Sequence, residues 1–339
     1  MAYKNYDILS AWNANSPREK IIQFVEEVTN ENHINFVEPS KRIATFDNDG
    51  TLWCEKPTIQ IEFMKYQMQK NIAANPDTEI SKMMEKYFKG EIKKNATIQR
   101  ILYEQVESGM PLSEFQTNVK EFLAQWKYPK ENEKNKNTIN KKLTGRTYKE
   151  LTYKPMLELL DYLRKNDFKI FLCSGGSSDF MRVFAEELYG IPNENVIGSF
   201  AINQYVSAIN TKPDEPKNDI EPEEPKNGIK PEDTFIRKQI QNIHKTVFAG
   251  KSEAIDARIG RIPIFSAGNV LNAGDVEHLT YCKSNPLPNF QLLINHDDAE
   301  REVAYSEKNR VSLDVAELQD WKVVHMKDHW KTVFAKNNL

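Results

Sequence analysis

A buried strand that ends in two carboxylates and a glycine constrains the fold of this chain most strongly. The apolar run 43–46 (Ile-Ala-Thr-Phe) leads directly into residues 47–51 (Asp-Asn-Asp-Gly-Thr), and Gly50 allows a sharp departure from the strand. In open α/β sheets the ligand site lies outside the carboxyl ends of the strands, so Asp47 and Asp49 are expected at that edge. Two acids at one strand tip repel each other unless a cation or a shared proton compensates. The same residues also suit an ordinary turn, so the rest of the chain must decide between the two interpretations.

A second strand-like run, residues 169–173, ends at Ser174, Gly175 and Gly176. A hydroxyl group and free backbone N–H groups at a strand-to-helix turn can bind an anion. An ordinary Gly-Gly loop followed by a helix cap is the alternative interpretation.

A third strand-like run, residues 263–267, leads into a loop that contains Asn269, Asn272 and Asp275. Carboxylate and amide oxygens can both bind Mg²⁺, although an amide brings no charge.

Taken in order, these motifs resemble those of the haloacid dehalogenase superfamily. The longer string 46–53 (Phe-Asp-Asn-Asp-Gly-Thr-Leu-Trp) resembles a phosphoserine-phosphatase-like bacterial branch of that superfamily. The resemblance spans residues 42–280 and implies a doubly wound parallel α/β sheet, with a helical cap inserted after the first motif strand. It also implies a lysine between the second and fourth motifs, where we favour Lys251 over Lys245.

The resemblance implies a Mg²⁺-dependent phosphomonoester hydrolase. Asp47 would be the nucleophile that forms an aspartyl-phosphate, and Asp49 would be the acid and base. Ser174 and Lys251 would contact the transferring phosphoryl group of a small phosphorylated substrate. The implied phosphate-binding residues are Thr51, Gly175 and Gly176, and the implied metal ligands are Asp47, Asp49, Asn269 and Asp275.

The fourth motif departs from the family pattern. Asn269 and Asn272 stand where carboxylates are expected, and the loop before Asp275 is longer than usual. Fewer carboxylates mean weaker attraction for Mg²⁺. Two alternatives therefore stay open: a catalytically weakened protein that acts by binding, and a phosphotransferase that uses the same site.

The domain organisation follows from periodicity and composition. Helical patterns without a strong strand run predict a helical cap over 57–150, inserted into a core of 1–56 and 151–339 in which helices and strands alternate. Within the core, residues 212–233 are rich in Pro and Glu and nearly repeat themselves, which predicts a flexible loop. Duplication in a tolerant loop is favoured there over a protein-binding role.

The net charge of −3 favours neither nucleic acid nor an anionic membrane surface as a partner. No apolar stretch has the length of a membrane span, and residues 1–20 lack the apolar region of a secretory signal. As it stands the sequence predicts a cytoplasmic protein, or a periplasmic or secreted one if a leader has been removed. His244, His278 and His296 have no zinc-type spacing, and we expect solvated or capping roles for them.

Overall fold

The fold was analysed in a computed structural model of the chain. It describes residues 8–93, 95–132, 135–205, 235–237, 245–270, 274–307 and 309–335. The Pro/Glu-rich stretch 212–233, Asn272 and His244 lie outside the described residues.

Eight strands are present in the described part of the chain. They are β1 (Ile43–Phe46), β2 (Lys169–Ser177), β3 (Val196–Ser199), β4 (Asn203–Tyr205), β5 (Phe235–Arg237), β6 (Phe265–Asn269), β7 (Phe290–Asn295) and β8 (Lys322–His325). Six of them form one sheet in the order β3-β2-β1-β6-β7-β8, and every pairing within it is parallel. Strands β4 and β5 form a separate antiparallel pair.

Helices separate the strands along the chain. They are α1 (Arg18–Thr29), α2 (Ile59–Ala74), α3 (Glu79–Lys89), α4 (Ala96–Glu107), α5 (Leu112–Gln125), α6 (Lys154–Lys165), α7 (Ser178–Met181), α8 (Ala185–Tyr189), α9 (Ala249–Ile259), α10 (Val276–Lys283), α11 (Val311–Leu318) and α12 (Met326–His329). None of these helices has the length and apolar character that crossing a membrane requires.

The strand order reverses at β1. Strands β2 and β3 extend the sheet on one side of β1, and β6, β7 and β8 extend it on the other. Phe46, the last residue of β1, lies opposite Leu172 of β2 and Ala267 of β6, so the loops after these three strands begin at one edge. This is the switch point at which open α/β sheets bind their ligands, and the predicted doubly wound parallel fold is confirmed.

Apolar packing against the sheet explains why the strands can be predicted from their apolar sequences. All residues of β1, β6 and β7 are buried. On one side, Phe24 of α1 contacts Phe265 of β6 and Phe290 of β7, whose two rings stack with centroids 5.4 Å apart. Strands covered on both faces are expected to read as continuous apolar runs, as these do.

The described residues divide into two compact units. One contains those within 1–59, 126–199 and 245–339, and the other contains those within 60–125 and 200–244. The second unit has its own apolar cluster, formed by Met68, Met84, Tyr87, Leu102 and Val106. These boundaries differ from the sequence prediction of a cap over 57–150.

The segment 126–150 groups with the sheet-containing unit because its contacts lie there. Tyr128 and Arg146 pair through their backbones, and the Asn140 side chain donates a hydrogen bond of 2.9 Å to the Glu302 carbonyl oxygen. Such long-range contacts leave no periodic mark in the sequence.

Candidate active site

The loop after β1 is a tight turn centred on Gly50. The Asp47 N–H donates to the Ala267 carbonyl of β6, and the Asn48 carbonyl accepts from the N–H groups of Thr51 and Leu52. Gly50 has a φ of +72°, in the left-handed region that favours glycine. Strand geometry therefore ends at Phe46, and the turn sets the directions of Asp47 and Asp49.

Gly50 is required for packing as well as for backbone conformation. A Cβ atom at this position would lie 2.0 Å from Nδ2 of Asn269 and 2.6 Å from the Tyr305 hydroxyl oxygen. The absence of a side chain thus allows the fourth-motif loop and the segment around Tyr305 to approach the turn closely.

Lys251 joins the first and fourth motifs. Its Nζ lies 2.8 Å from Oδ1 of Asp47, and it also bonds Oδ1 of Asp275. All three residues are buried, whereas the alternative lysine, Lys245, is exposed. Lys251 lies on α9, directly after the turn that leads into that helix, and so faces the edge of the sheet.

Burial and pairing set the charges of this triad. Burial, together with the negative charge of Asp275, raises the pKa of Asp47 to about 6. Burial opposes ionisation of Asp275 as well, yet the Lys251 ammonium holds the pKa of Asp275 well below its ordinary value. Although burial favours the neutral amine, the two carboxylates raise the pKa of Lys251 above its ordinary value. At neutral pH Asp47 is therefore mainly ionised, as a carboxylate nucleophile must be.

Asp49 lies in a different environment. Its Oδ1 accepts a hydrogen bond of 2.7 Å from Nε1 of Trp53, and its backbone carbonyl accepts one from the Asn269 amide. Burial raises the pKa of Asp49 above its ordinary value. A carboxyl group with a raised pKa is suited to exchanging a proton near neutral pH.

Asp275 uses both carboxylate oxygens within the protein. Oδ1 bonds Lys251 and lies 3.3 Å from Nδ1 of His278, and Oδ2 accepts from the Asn269 N–H at 2.8 Å. His278 is fully buried, so the solvated or capping role predicted for it is wrong. Asp275 as a metal ligand stays a prediction.

The second motif lies within the last part of β2, where its register against β3 shifts between Cys173 and Ser177, so the strand extends beyond the predicted run 169–173. Ser174 is buried, and its Oγ accepts a hydrogen bond of 3.3 Å from the Gly176 N–H. The carbonyl of Gly175 accepts from the Ser199 hydroxyl at 2.9 Å. Because Phe46 pairs with Leu172, Ser174 lies at the same edge as Asp47; its contact with a phosphoryl group stays a prediction.

Thr51 carries an unsatisfied polar atom next to the carboxylates. Its side chain is fully buried, and its hydroxyl oxygen has no hydrogen-bond partner among the described residues. A buried hydroxyl without a partner is costly, so a ligand that supplied one would stabilise this position.

Sequence reasoning missed Glu55. This carboxylate is 8% exposed, and its Oε2 accepts a hydrogen bond of 2.7 Å from the Tyr305 hydroxyl and lies 3.4 Å from Nδ2 of Asn269. Burial raises the pKa of Glu55 to about 8. The sequence does contain one indication of this residue: Glu55 directly follows the apolar stretch Leu52-Trp53-Cys54. An acid next to a buried stretch is rarely buried itself unless it is paired, so its position suggests a function.

His296 is also placed differently from the prediction. It is 1% exposed, its Nε2 lies 2.8 Å from the Gly50 carbonyl oxygen, and its Nδ1 lies 3.2 Å from Oε2 of Glu302. Because a carbonyl oxygen can only accept, Nε2 must carry a proton. His296 supports the turn from behind, and a solvated or capping role is wrong for it.

The donor chemistry of this region fits a hard divalent cation. No three His, Cys, Asp or Glu side chains of the described residues converge as a metal site by themselves. Oxygen donors are nevertheless available from the Asp47 and Glu55 carboxylates, the Asp49 carbonyl and the Asn269 amide, which are the donor types that Mg²⁺ accepts. Burial is the main cause of the raised pKa values of Asp47 and Glu55, and neighbouring carboxylates raise both further, so a cation bound here would favour their ionised forms.

Comparisons with known proteins agree on the fold. No family model matches the chain, and no curated protein matches its sequence. A conserved, functionally unknown protein from Anaerococcus prevotii has a similar solved structure, with 13% identity, 90% of each chain covered and a TM-score of 0.52. This likeness shows a shared fold.

Phosphatases are among the other solved structures that match. A phosphoserine phosphohydrolase-like protein from Francisella tularensis is 18% identical over 82% of this chain and 99% of that chain, with a TM-score of 0.35. Cytosolic 5'-nucleotidase IIIB bound to cytidine is 14% identical over 94% of this chain and 99% of that chain, with a TM-score of 0.41. At these TM-scores neither structure carries an argument about this chain.

Proposed function

We propose that the chain is a Mg²⁺-dependent phosphomonoester hydrolase that acts on a small phosphorylated metabolite. The observation that carries this proposal is the buried set of Asp47, Lys251 and Asp275 beside Asp49 at the switch point of the sheet. An ionised carboxylate held by an ammonium group, next to a second carboxyl group with a raised pKa, suits nucleophilic displacement with proton transfer.

In the proposed reaction the Asp47 carboxylate attacks phosphorus in line. The bond to the leaving oxygen breaks, Asp49 gives that oxygen its proton, and an aspartyl-phosphate remains on Asp47. Asp49, now ionised, then takes a proton from water, which attacks phosphorus and releases inorganic phosphate. Lys251 and Ser174, with Thr51, Gly175 and Gly176, would bind the phosphoryl oxygens, where charge stabilisation dominates this chemistry.

The metal site would be completed by oxygen donors of this edge. We propose Asp47, the Asp49 carbonyl, Asn269 and Asp275 as the ligand candidates that the family pattern supplies. When bound, Mg²⁺ would neutralise charge on the phosphoryl oxygens. We further propose that the helices within 57–150 act as a cap that selects the leaving group.

Hydrolysis of a generic aryl phosphate tests the proposal. Turnover should depend on Mg²⁺ and should be abolished by EDTA. Since Asn269 brings no charge, saturation is expected only near the weak, roughly millimolar end of oxygen-ligand sites. Turnover that is insensitive to EDTA would contradict the metal-dependent mechanism.

A binding protein without turnover is the second candidate. It is favoured by Asn269 at a position where an acid is expected and by the complete use of Asp275 inside the protein. No hydrolysis at any Mg²⁺ concentration, with intact folding, would favour it over the hydrolase. Transfer to an added acceptor alcohol instead of water would indicate the phosphotransferase.

A further inference from the structure

Three polar groups from distant parts of the sequence meet at the Asn269 amide. Nδ2 of Asn269 donates to the Asp49 carbonyl oxygen and lies 3.4 Å from Oε2 of Glu55. Both oxygens are thus acceptors that point toward one neutral donor, and two acceptors so arranged suit a cation as well. Gly50 makes this meeting possible, because a Cβ there would overlap the amide.

Glu55 is held in place and forms no ion pair with another described residue, although the charge of the neighbouring Lys56 acts on it. Its two hydrogen-bond partners among the described residues, the Tyr305 hydroxyl and the Asn269 amide, are both neutral, and both reach Oε2. The carboxylates of Asp47 and Asp275, in contrast, share Lys251. A carboxylate buried among neutral groups is costly unless a cation joins it.

The residues behind Glu55 fix its position relative to the turn. The Tyr305 ring stacks on the His296 ring with centroids 4.3 Å apart and an interplanar angle of 13°. His296 in turn donates from Nε2 to the Gly50 carbonyl, next to Asp49. The stacked rings of His296 and Tyr305 therefore hold both Glu55 and the turn that carries the Asp49 carbonyl. Residues behind the ligands position them in the same way at metal sites.

We propose that Glu55 is a ligand of the divalent cation and supplies the carboxylate that Asn269 lacks in the fourth motif. The cation would be bound by Glu55 and Asp47 through carboxylate oxygens, and by Asp49 through its carbonyl. This proposal rests on the metal-dependent function proposed above and adds a ligand that the family pattern does not assign.

Metal binding without substrate tests this proposal. We would titrate the metal-free protein with Mn²⁺, measure free Mn²⁺ by electron paramagnetic resonance, and then displace it with Mg²⁺. Glu55→Gln removes the charge with little change in volume and should raise the Mn²⁺ dissociation constant roughly tenfold or more. Asp314→Asn removes a similar charge from an exposed aspartate of α11 outside this site, and should change the Mn²⁺ dissociation constant by less than about threefold.

Moving the carboxylate from residue 55 to residue 269 distinguishes a lost metal ligand from a misfolded variant. Asn269→Asp in the Glu55→Gln background returns one carboxylate to the site and should restore most of the lost affinity. Wild-type affinity in Glu55→Gln, or failure of the double variant to regain affinity while thermal unfolding shows it folded, would overturn the proposal. So would a Glu55→Gln effect confined to KM for the substrate, because that would make Glu55 a substrate contact.

The test separates this proposal from the proposed function. If the wild type binds Mn²⁺ through Glu55 but hydrolyses no aryl phosphate, the assigned activity fails and the ligand assignment stands. If it hydrolyses aryl phosphate while Glu55→Gln binds Mn²⁺ unchanged, the ligand assignment fails and the activity stands.

Discussion

At the scale of single residues, Asp47 combines burial, ionisation at neutral pH and pairing with Lys251. Asp47→Asn should abolish aryl-phosphate hydrolysis, by roughly a thousandfold or more, because an amide cannot replace the carboxylate nucleophile. Circular dichroism should show the fold retained. Asp314→Asn changes an exposed aspartate and should leave turnover unchanged. Near wild-type turnover by Asp47→Asn, freed of contaminating enzyme, would contradict the mechanism.

Glu55 makes stability depend on pH in the absence of metal. Burial raises its pKa to about 8, so between the ordinary value of 4.5 and 8 the folded state holds a proton that the unfolded state has released. Stability is therefore lost as the pH rises through this range, and Asp47 acts in the same direction up to about 6.

We expect chemical denaturation in EDTA to give a higher unfolding free energy at pH 5.5 than at pH 8.5. Glu55→Gln should reduce this difference by on the order of 1 kcal/mol or more, because an amide does not titrate. Titrating groups far from Glu55 contribute equally to both proteins, so the comparison isolates Glu55 and the carboxylates Asp47 and Asp49 that interact with it. Parallel pH profiles for wild type and variant would show that the carboxyl group is not protonated in the fold.

At the scale of elements, the turn after β1 depends on Gly50 for both conformation and space. Gly260, which ends α9 at a φ of +66° with nothing within 4 Å of an added Cβ, offers a matched control. Gly260→Ala should lower the free energy of unfolding by about 1 kcal/mol, because alanine is disfavoured in the left-handed backbone conformation.

Gly50→Ala should lower the free energy of unfolding by roughly 1 kcal/mol more than Gly260→Ala does, because the new methyl group must displace Asn269 and Tyr305. It should also weaken Mn²⁺ binding, which Gly260→Ala should not. Equal losses in the two variants, measured by urea denaturation, would mean that the close approach at Gly50 has no energetic importance.

At the scale of the whole molecule, the Pro/Glu-rich stretch should be dispensable for folding. It lies outside the described residues, and the prediction rests on its composition, which offers few side chains able to enter a core. Deleting residues 213–231 and joining the ends with a short Gly/Ser bridge should shift the midpoint of thermal unfolding by no more than about 3 °C. Collapse of the fold, or strong protection of this stretch from limited proteolysis, would show that it is a docked structural element.

Local pattern and tertiary contact contributed differently to what could be predicted. The predicted run 43–46 is the observed β1, and 263–267 differs from β6 by two residues at each end, because strands buried on both faces carry their apolar signal locally. The helical segment after β2 is divided into two short helices, α7 and α8. The N–H groups of Val183 and Phe184 bond carbonyls three residues back, which tightens the chain between the two helices.

The sequence by itself determined the parallel sheet and the end of β1 that leads into Asp47, because apolar runs and turn residues are local signals. Only the tertiary structure decided that Lys251 lies between Asp47 and Asp275. It likewise brought Tyr305, distant in sequence, against Glu55. The physical reason is that charge pairing and close packing depend on which chain segments meet in space, and no periodicity along the sequence records that meeting.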